Sequence, residues 1–157
     1  MKIAFGSDHR GFKLKNVLIT YLKEKGYEVL DFGAYSKDPS DYPDYVYPAV
    51  SSLAEKKADK AIVICFTGIG SCILANKVKG IRAALAYNIK SAKLSRKHND
   101  SNVLVLASGL FKPDYAKKLV LSWLKENFEG GRHSRRLKKI RKIEEKKGVT
   151  PIWELNQ

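Results

Sequence analysis

Lys60-Ala61-Ile62-Val63-Ile64-Cys65-Phe66-Thr67-Gly68-Ile69-Gly70-Ser71 is the stretch that decides the fold. Residues 61–64 are apolar at every position, as in a strand buried on both faces of a parallel sheet. The run stops at Cys65. Thr67 follows, then Gly68 and Gly70, and a helix is expected from Ser71. A strand–turn–helix passage of this kind carries a reactive side chain to the rim of a sheet. The glycines let the backbone turn tightly and aim its N–H groups inward. A helix start adds a partial positive charge. A thiol, a hydroxyl and an amide-lined turn so close together point to chemistry on an anionic substrate.

The same alternation runs outward in both directions. Residues 3–5 form a first strand. Leu14, Val17, Leu18, Tyr21 and Leu22 then fall on one helix face, and Gly26 ends that helix. Residues 27–32 read as a second strand, followed by a polar loop at 33–43. The spacing predicts a helix from about 44 to 57 that contains Pro48. After the decisive strand come a short helix at 71–77, a fourth strand at 82–87 with its helix at 89–97, and a fifth strand at 103–107. Pro113 opens a helix whose face is Ala116, Leu119, Val120, Trp123 and Leu124. Gly130-Gly131 breaks the chain before a last basic helix, 132–147, and a tail, 148–157. Ile152 and Trp153 in that tail predict docking on the core or on a partner subunit. Five βα units in a row predict an α/β fold, a parallel sheet with helices on both faces and right-handed crossovers. Ligands then bind beyond the carboxyl ends of the strands, where the strand order reverses.

The 157 residues fit one domain, 1–157, with enough length for a core, and the 44% hydrophobic content belongs to the globular range. No apolar run reaches ~20 residues, so no membrane span is expected. The N-terminus turns polar after a few residues and reads as a first strand rather than a signal peptide. Two cysteines, Cys65 and Cys72, make no disulfide framework and predict a reducing, cytoplasmic location. The net charge is +14, and half of the excess lies in 132–147, where nine Lys or Arg face Glu144 and Glu145. Such a segment is a solvated helix face, a nucleic-acid contact or the holder of a phosphate. Of these, a solvated face with two arginines on a phosphate fits best, and nucleic acid is not the expected partner.

Polar groups with chemical potential gather at strand ends: Ser7, Asp8 and His9 after the first strand, Cys65 to Gly70 after the third, and His98, Asn99 and Asp100 before the fifth. Arg132 and Arg136 are four apart on the last helix. Spacing of Cys65, Cys72 and His98 fits no usual zinc pattern, and no metal or other cofactor is expected.

Seven stretches make the chain recognisable: Gly6-Ser7-Asp8-His9, Asp41-Tyr42-Pro43-Asp44, Thr67-Gly68-Ile69-Gly70, Ala75-Asn76-Lys77, Gly80-Ile81-Arg82-Ala83, Ser95-Arg96-Lys97-His98-Asn99-Asp100 and Glu129-Gly130-Gly131-Arg132-His133. In this order they resemble the type B ribose-5-phosphate isomerases and the related galactose-6-phosphate isomerase subunits. The resemblance implies a flavodoxin-like (Rossmann-type) three-layer αβα sandwich with five strands in the order 2-1-3-4-5. It implies a homodimer with active sites between subunits, often paired into tetramers. The activity it implies is metal-free interconversion of D-ribose 5-phosphate and D-ribulose 5-phosphate, in the non-oxidative branch of the pentose phosphate pathway. Cys65 is then the base that moves a proton between C2 and C1, Thr67 relays a proton at the substrate oxygens, and His98 opens the sugar ring. Asp8 and Asn99 hold hydroxyls, and Tyr42 lines the pocket. Phe66, Gly68, Ile69 and Gly70 surround the enediolate, stabilised by amide hydrogens. His9, Arg132 and Arg136 clamp the phosphate, with the arginines and the ring-opening histidine coming from the subunit opposite the cysteine. His133 is expected to be structural and Cys72 to be packing.

The chain departs from that pattern. Phe66 stands where the family usually has glycine, and Gly109 where it tends to carry an arginine; Ser71 and Cys72 replace a bulkier residue and a serine. Two alternatives follow: an isomerase for a six-carbon sugar phosphate such as galactose or allose 6-phosphate, or a catalytically impaired relative that binds sugar phosphate or nucleic acid.

Overall fold

The computed structural model describes residues 1–145. Its elements in chain order are β1 (Lys2–Ser7), α1 (Phe12–Glu24), β2 (Glu28–Asp31), α2 (Pro43–Ala54), β3 (Lys60–Cys65), α3 (Ile69–Ala75), β4 (Ala83–Leu85), α4 (Ile89–Asn99), β5 (Val103–Ala107), α5 (Pro113–Lys125) and α6 (Arg132–Glu144). The five strands form one sheet, and every pairing is parallel. Alternation along β3 explains the layers. Ile62 and Ile64 face Leu14, Leu18, Leu104, Leu119 and Trp123, a core shared with α1 and α5. Ala61 and Val63 face Val46, Val50 and Ala75, a core shared with α2 and α3. This is the expected αβα sandwich.

The strand order is β2-β1-β3-β5-β4, so the last two strands are exchanged relative to the expected 2-1-3-4-5. The physical reason lies in their composition. β5 is Val-Leu-Val-Leu-Ala, buried at all five positions, and takes the interior place beside β3. β4 keeps only three half-buried residues and forms the edge. The order still reverses between β1 and β3, which are hydrogen-bonded neighbours. The loops after these two strands therefore meet at the switch point.

Several boundaries differ from the sequence reading. α1 buries Lys15 and Ile19 with Leu14, Leu18 and Leu22, while Val17 and Tyr21 are only half-buried. Lys15 is fully buried because its ammonium pairs with Asp31 and lies near the rings of Phe12 and Tyr35. α4 runs two residues past 97, so His98 and Asn99 belong to its last turn. α6 ends at Glu144 rather than 147. The expected docking of the tail, 148–157, lies outside the described residues. Among the described residues no helix is long and apolar enough to cross a membrane.

Candidate active site

At the carboxyl end of the sheet, β3 delivers Cys65, 5% exposed. Its Sγ accepts a hydrogen bond from the Gly68 N–H at 3.2 Å, an interaction that strengthens when the acceptor carries charge. The turn needs glycine: Gly68 has φ +78°, and a Cβ there would meet Leu85 Cδ1 at 2.4 Å. Thr67 lies exposed on the rim, with its Oγ1 accepting from the Ile69 N–H at 3.3 Å. Tyr42 is half-buried against Gly70, where a Cβ would come within 2.8 Å of its ring. Ile69 and Phe66 face outward.

β1 adds Asp8 and His9 to the same end. Asp8 is buried, and its Oδ1 accepts from the Gly11 N–H at 2.8 Å. His9 is tied to the following loop: its backbone N–H donates to Ser40 Oγ, and its Nδ1 lies 3.1 Å from both the N and the O of Ser40. In either tautomer Nδ1 is engaged there, and Nε2 is the nitrogen left to meet a ligand. Cys72, by contrast, is pushed up by burial, an effect partly offset by hydrogen bonds, so its sulfur stays a thiol.

The other expected residues are at the amino end of the sheet. α4 runs back from β4 to the start of β5, so its last turn, with His98 and Asn99, lies at the far pole from Cys65. The separation is roughly 15 Å, about one strand length. α6 lies along that pole: the Gly80 N–H donates to Glu144 Oε1 at 2.7 Å, and the His133 and His98 rings stack at 4.2 Å between centroids. Arg132 and Arg136 are exposed on α6. The structure thus brings Cys65, Thr67, Gly68, Ile69, Gly70, Asp8, His9, Tyr42 and Phe66 together. It holds His98, Asn99, Arg132 and Arg136 apart from them. Within one chain the two sets do not meet.

Side chains unassigned by the sequence reading build the amino pole. Asp100 caps α4 with φ +46° and accepts from Arg82 at 2.7 Å and from Arg96 at 2.8 Å. Arg96 also donates to the Ser101 carbonyl at 2.7 Å. Ser101 Oγ in turn pairs with Ser95 and accepts from the Trp123 indole, each at 2.8 Å. This network fixes the turn that carries His98. Arg82, Ser95, Arg96 and Asp100 stand inside the quoted motifs, whereas Ser101 and Trp123 lie outside them, and several of the pairings are remote in sequence. Glu129 lies 3.6 Å from His98 Nε2 and 3.9 Å from His133 Nε2. His133 is 5% exposed and supports the stack, in keeping with a structural role. Desolvation first, then His98, Arg132 and Arg136, hold it below the usual imidazole range despite Glu129.

His98, Glu129 and His133 are also the grouping whose donor atoms all lie within 4.8 Å of one another, among the described residues. An imidazole binds a metal in its own ring plane. Two rings only 10° from parallel and stacked face to face cannot both direct lone pairs at one ion without turning. The stacked arrangement serves packing and charge rather than chelation.

A parallel α/β sandwich that sets a thiol over an amide-lined turn, beside a carboxylate and an imidazole, gathers the kinds of group that can move protons on a small anionic substrate. The chain matches the ribose/galactose isomerase family over residues 3–140 and belongs to it. It is 44% identical over 146 residues to ribose-5-phosphate isomerase B of Escherichia coli strain K12, across 93% of this chain and 98% of that protein. Ribose-5-phosphate isomerase B of Clostridium thermocellum has a similar structure, with a TM-score of 0.92 at 46% identity over 94% of this chain and 100% of that one. The Mycoplasma genitalium ribose-5-phosphate isomerase B, solved with bound ribulose 5-phosphate, gives 0.88 at 41% identity over 92% and 97%.

Proposed function

We propose that this protein interconverts D-ribose 5-phosphate and D-ribulose 5-phosphate through a cis-enediolate. We assign the site to two copies of the chain, the carboxyl pole of one facing the amino pole of the other. The observation that carries the reading is Cys65 Sγ at 3.2 Å from the Gly68 N–H, while the titratable His98 lies at the opposite end of its own chain. Each pole has half of the groups the reaction needs, and a second copy supplies the other half.

The steps follow from the chemistry of the groups. His98 takes the proton of the O1 hydroxyl and returns one to the ring oxygen, opening the sugar. The Cys65 thiolate removes the C2 proton, and the electron pair moves toward C1 to give the enediolate. Amide hydrogens of residues 66–70 stabilise the charge developing on oxygen. Thr67 relays a proton between O2 and O1, and the Cys65 thiol delivers its proton to C1. Nothing is oxidised overall, because one carbon loses what its neighbour gains. Asp8 and Asn99 bind hydroxyls. His9, Arg132 and Arg136 bind the phosphate, for which the arginine fork is suited. Proton chemistry on a phosphorylated pentose fits a cytoplasmic enzyme.

Phe66, 45% exposed beside Cys65, takes up space at the site and favours the five-carbon substrate over galactose or allose 6-phosphate. Turnover of ribose 5-phosphate in the presence of a chelator, with kcat/KM above that for both six-carbon sugars, is the expected result. No turnover of ribose 5-phosphate overturns the assignment.

A further inference from the structure

Three loops at the carboxyl pole meet around the Phe66 ring. Arg10, from the loop after β1, sets its guanidinium carbon 3.8 Å from the ring centroid. Gly109, from the loop after β5, lies against the ring, and a Cβ there would sit 2.7 Å from Phe66 Cε2. The Gly109 N–H donates to the Phe66 carbonyl at 3.0 Å, which locks this loop to the Cys65 turn. Phe66 is nonetheless 45% exposed, so the ring faces the open pole and is not a core side chain. Arg10 is exposed and makes no ion pair among the described residues.

A guanidinium stacked on an aromatic face keeps its N–H donors pointing outward in its own plane. The stack fixes its direction without using those donors. We propose that Arg10, seated on Phe66 over Gly109, is a further substrate-contacting cation of the Cys65 half-site and binds the phosphate oxygens of the sugar phosphate. The inference rests on the isomerase reading for the identity of the ligand. Its residues are adjacent to the groups already in the site: Arg10 follows His9, and Phe66 follows Cys65. Mere covering of an exposed ring does not explain why the ring stays nearly half open. Nor does it explain the absence of a carboxylate on the arginine at a pole that already has an acidic group in Asp8.

The test compares Arg10→Met, Phe66→Leu and the native protein. Two quantities are read: KM and kcat for ribose 5-phosphate, and the competitive inhibition constant of inorganic phosphate. Arg10→Met raises KM and the phosphate constant together by about tenfold, the effect of one charge-assisted contact, with the loss falling on KM rather than kcat. Phe66→Leu shifts both the same way but less, since the cation remains and its seat is lost. The double variant matches Arg10→Met, because the two residues act as one unit. A KM and a phosphate constant both within twofold of native in Arg10→Met overturn the proposal, as does a double variant whose losses multiply. Should the native protein not turn over ribose 5-phosphate, the isomerase reading fails by itself. The rise of Tm on adding inorganic phosphate then still tests the cation: its loss in Arg10→Met supports the assignment, and its full retention overturns it.

Discussion

The two poles of the sheet are built by different physics. At the carboxyl pole the backbone does the positioning. Gly68 in a left-handed conformation aims an N–H at Cys65, and Gly11, in the right-handed region, donates its N–H to Asp8. At the amino pole side chains do it. Arg82 and Arg96 grip Asp100, Ser95 and Ser101 link to Trp123, and His133 supports His98. One pole therefore offers a nucleophilic sulfur and amide hydrogens, and the other offers imidazole and guanidinium groups. A parallel sheet forces this division, because strands and crossover helices end at opposite sides. Residues at the two sorts of termini can share a substrate only when a second copy brings its opposite pole.

The sharpest way to break the comparison is to remove the sulfur. Cys65→Ala is expected to lower kcat by at least ~10³-fold, because the base for the carbon proton is lost. His98→Asn is expected to cost less, about 10²-fold, because sugar rings also open without help. Steady-state rates with ribose 5-phosphate give both numbers. Equal kcat in native and Cys65→Ala protein means that the base lies elsewhere.

Mixing these two variants sharpens the comparison. On the proposed two-copy site, each variant by itself is inactive or nearly so. Co-expressed, half of the dimers are mixed, and each mixed dimer has one site with both defects and one site intact. Activity is expected to recover to about a quarter of native by this two-fold arithmetic. No recovery, with mixed dimers demonstrated by mass, would show that Cys65 and His98 do not serve the same site.

The difference between poles also governs what was legible in the sequence. The carboxyl pole could be read because its parts are contiguous: strand, thiol, hydroxyl and glycines occupy one dozen residues. α5 was equally plain, since its five buried residues follow helical spacing and nothing competes with them. Reading failed where a polar residue took a core position. Lys15 joins the buried face of α1 because Asp31, on another element, neutralises it, and no pattern of apolar residues announces that. The exchange of β4 and β5 had a signal that was not weighed. Val-Leu-Val-Leu-Ala at 103–107 is bulky and apolar at every position and belongs inside the sheet, whereas the stretch at 82–87 opens on Arg82 and is half alanine, which suits an edge. The stack of His98 on His133 beside Glu129 had none, because it depends on how α6 lies across α4.

Asp100 tests whether the amino pole is held by side chains as described. Asp100→Asn keeps the size and tolerates the positive φ of this position, so the turn itself is preserved. Its charge is lost, and Arg96, only 8% exposed, remains without its carboxylate. A destabilisation of about 2 kcal/mol is expected, less than for a fully buried pair because Asp100 itself is partly hydrated. Denaturant unfolding measures it. A change below ~0.5 kcal/mol would mean that the Ser101 carbonyl and the backbone suffice to hold the arginine, and that the carboxylate is incidental.

The smallest effect concerns the charge crowding that the amino pole accepts. Lys60 begins β3 there, with its ammonium 5.3 Å from the Trp123 ring. Burial first, then Arg96 and Arg82, lower its pKa from 10.5 to about 8, against the opposing pull of Asp100 and Asp59. Between pH 8 and 10.5 the unfolded chain binds more protons at this site than the folded one, so native stability from this group rises with pH across that window. Below pH 8 the lysine is charged in both states, and the folded protein bears the whole cost of holding it. Lys60→Met removes that cost, so its Tm relative to native is expected to be highest near pH 7 and to fall by a few degrees toward pH 10.5. Thermal unfolding of both proteins at several pH values reads the change, and any fixed difference in packing cancels. A Tm difference that stays flat from pH 7 to 10.5 would mean that the ammonium reaches water, and that the crowding at this pole is relieved by solvent rather than borne by the fold.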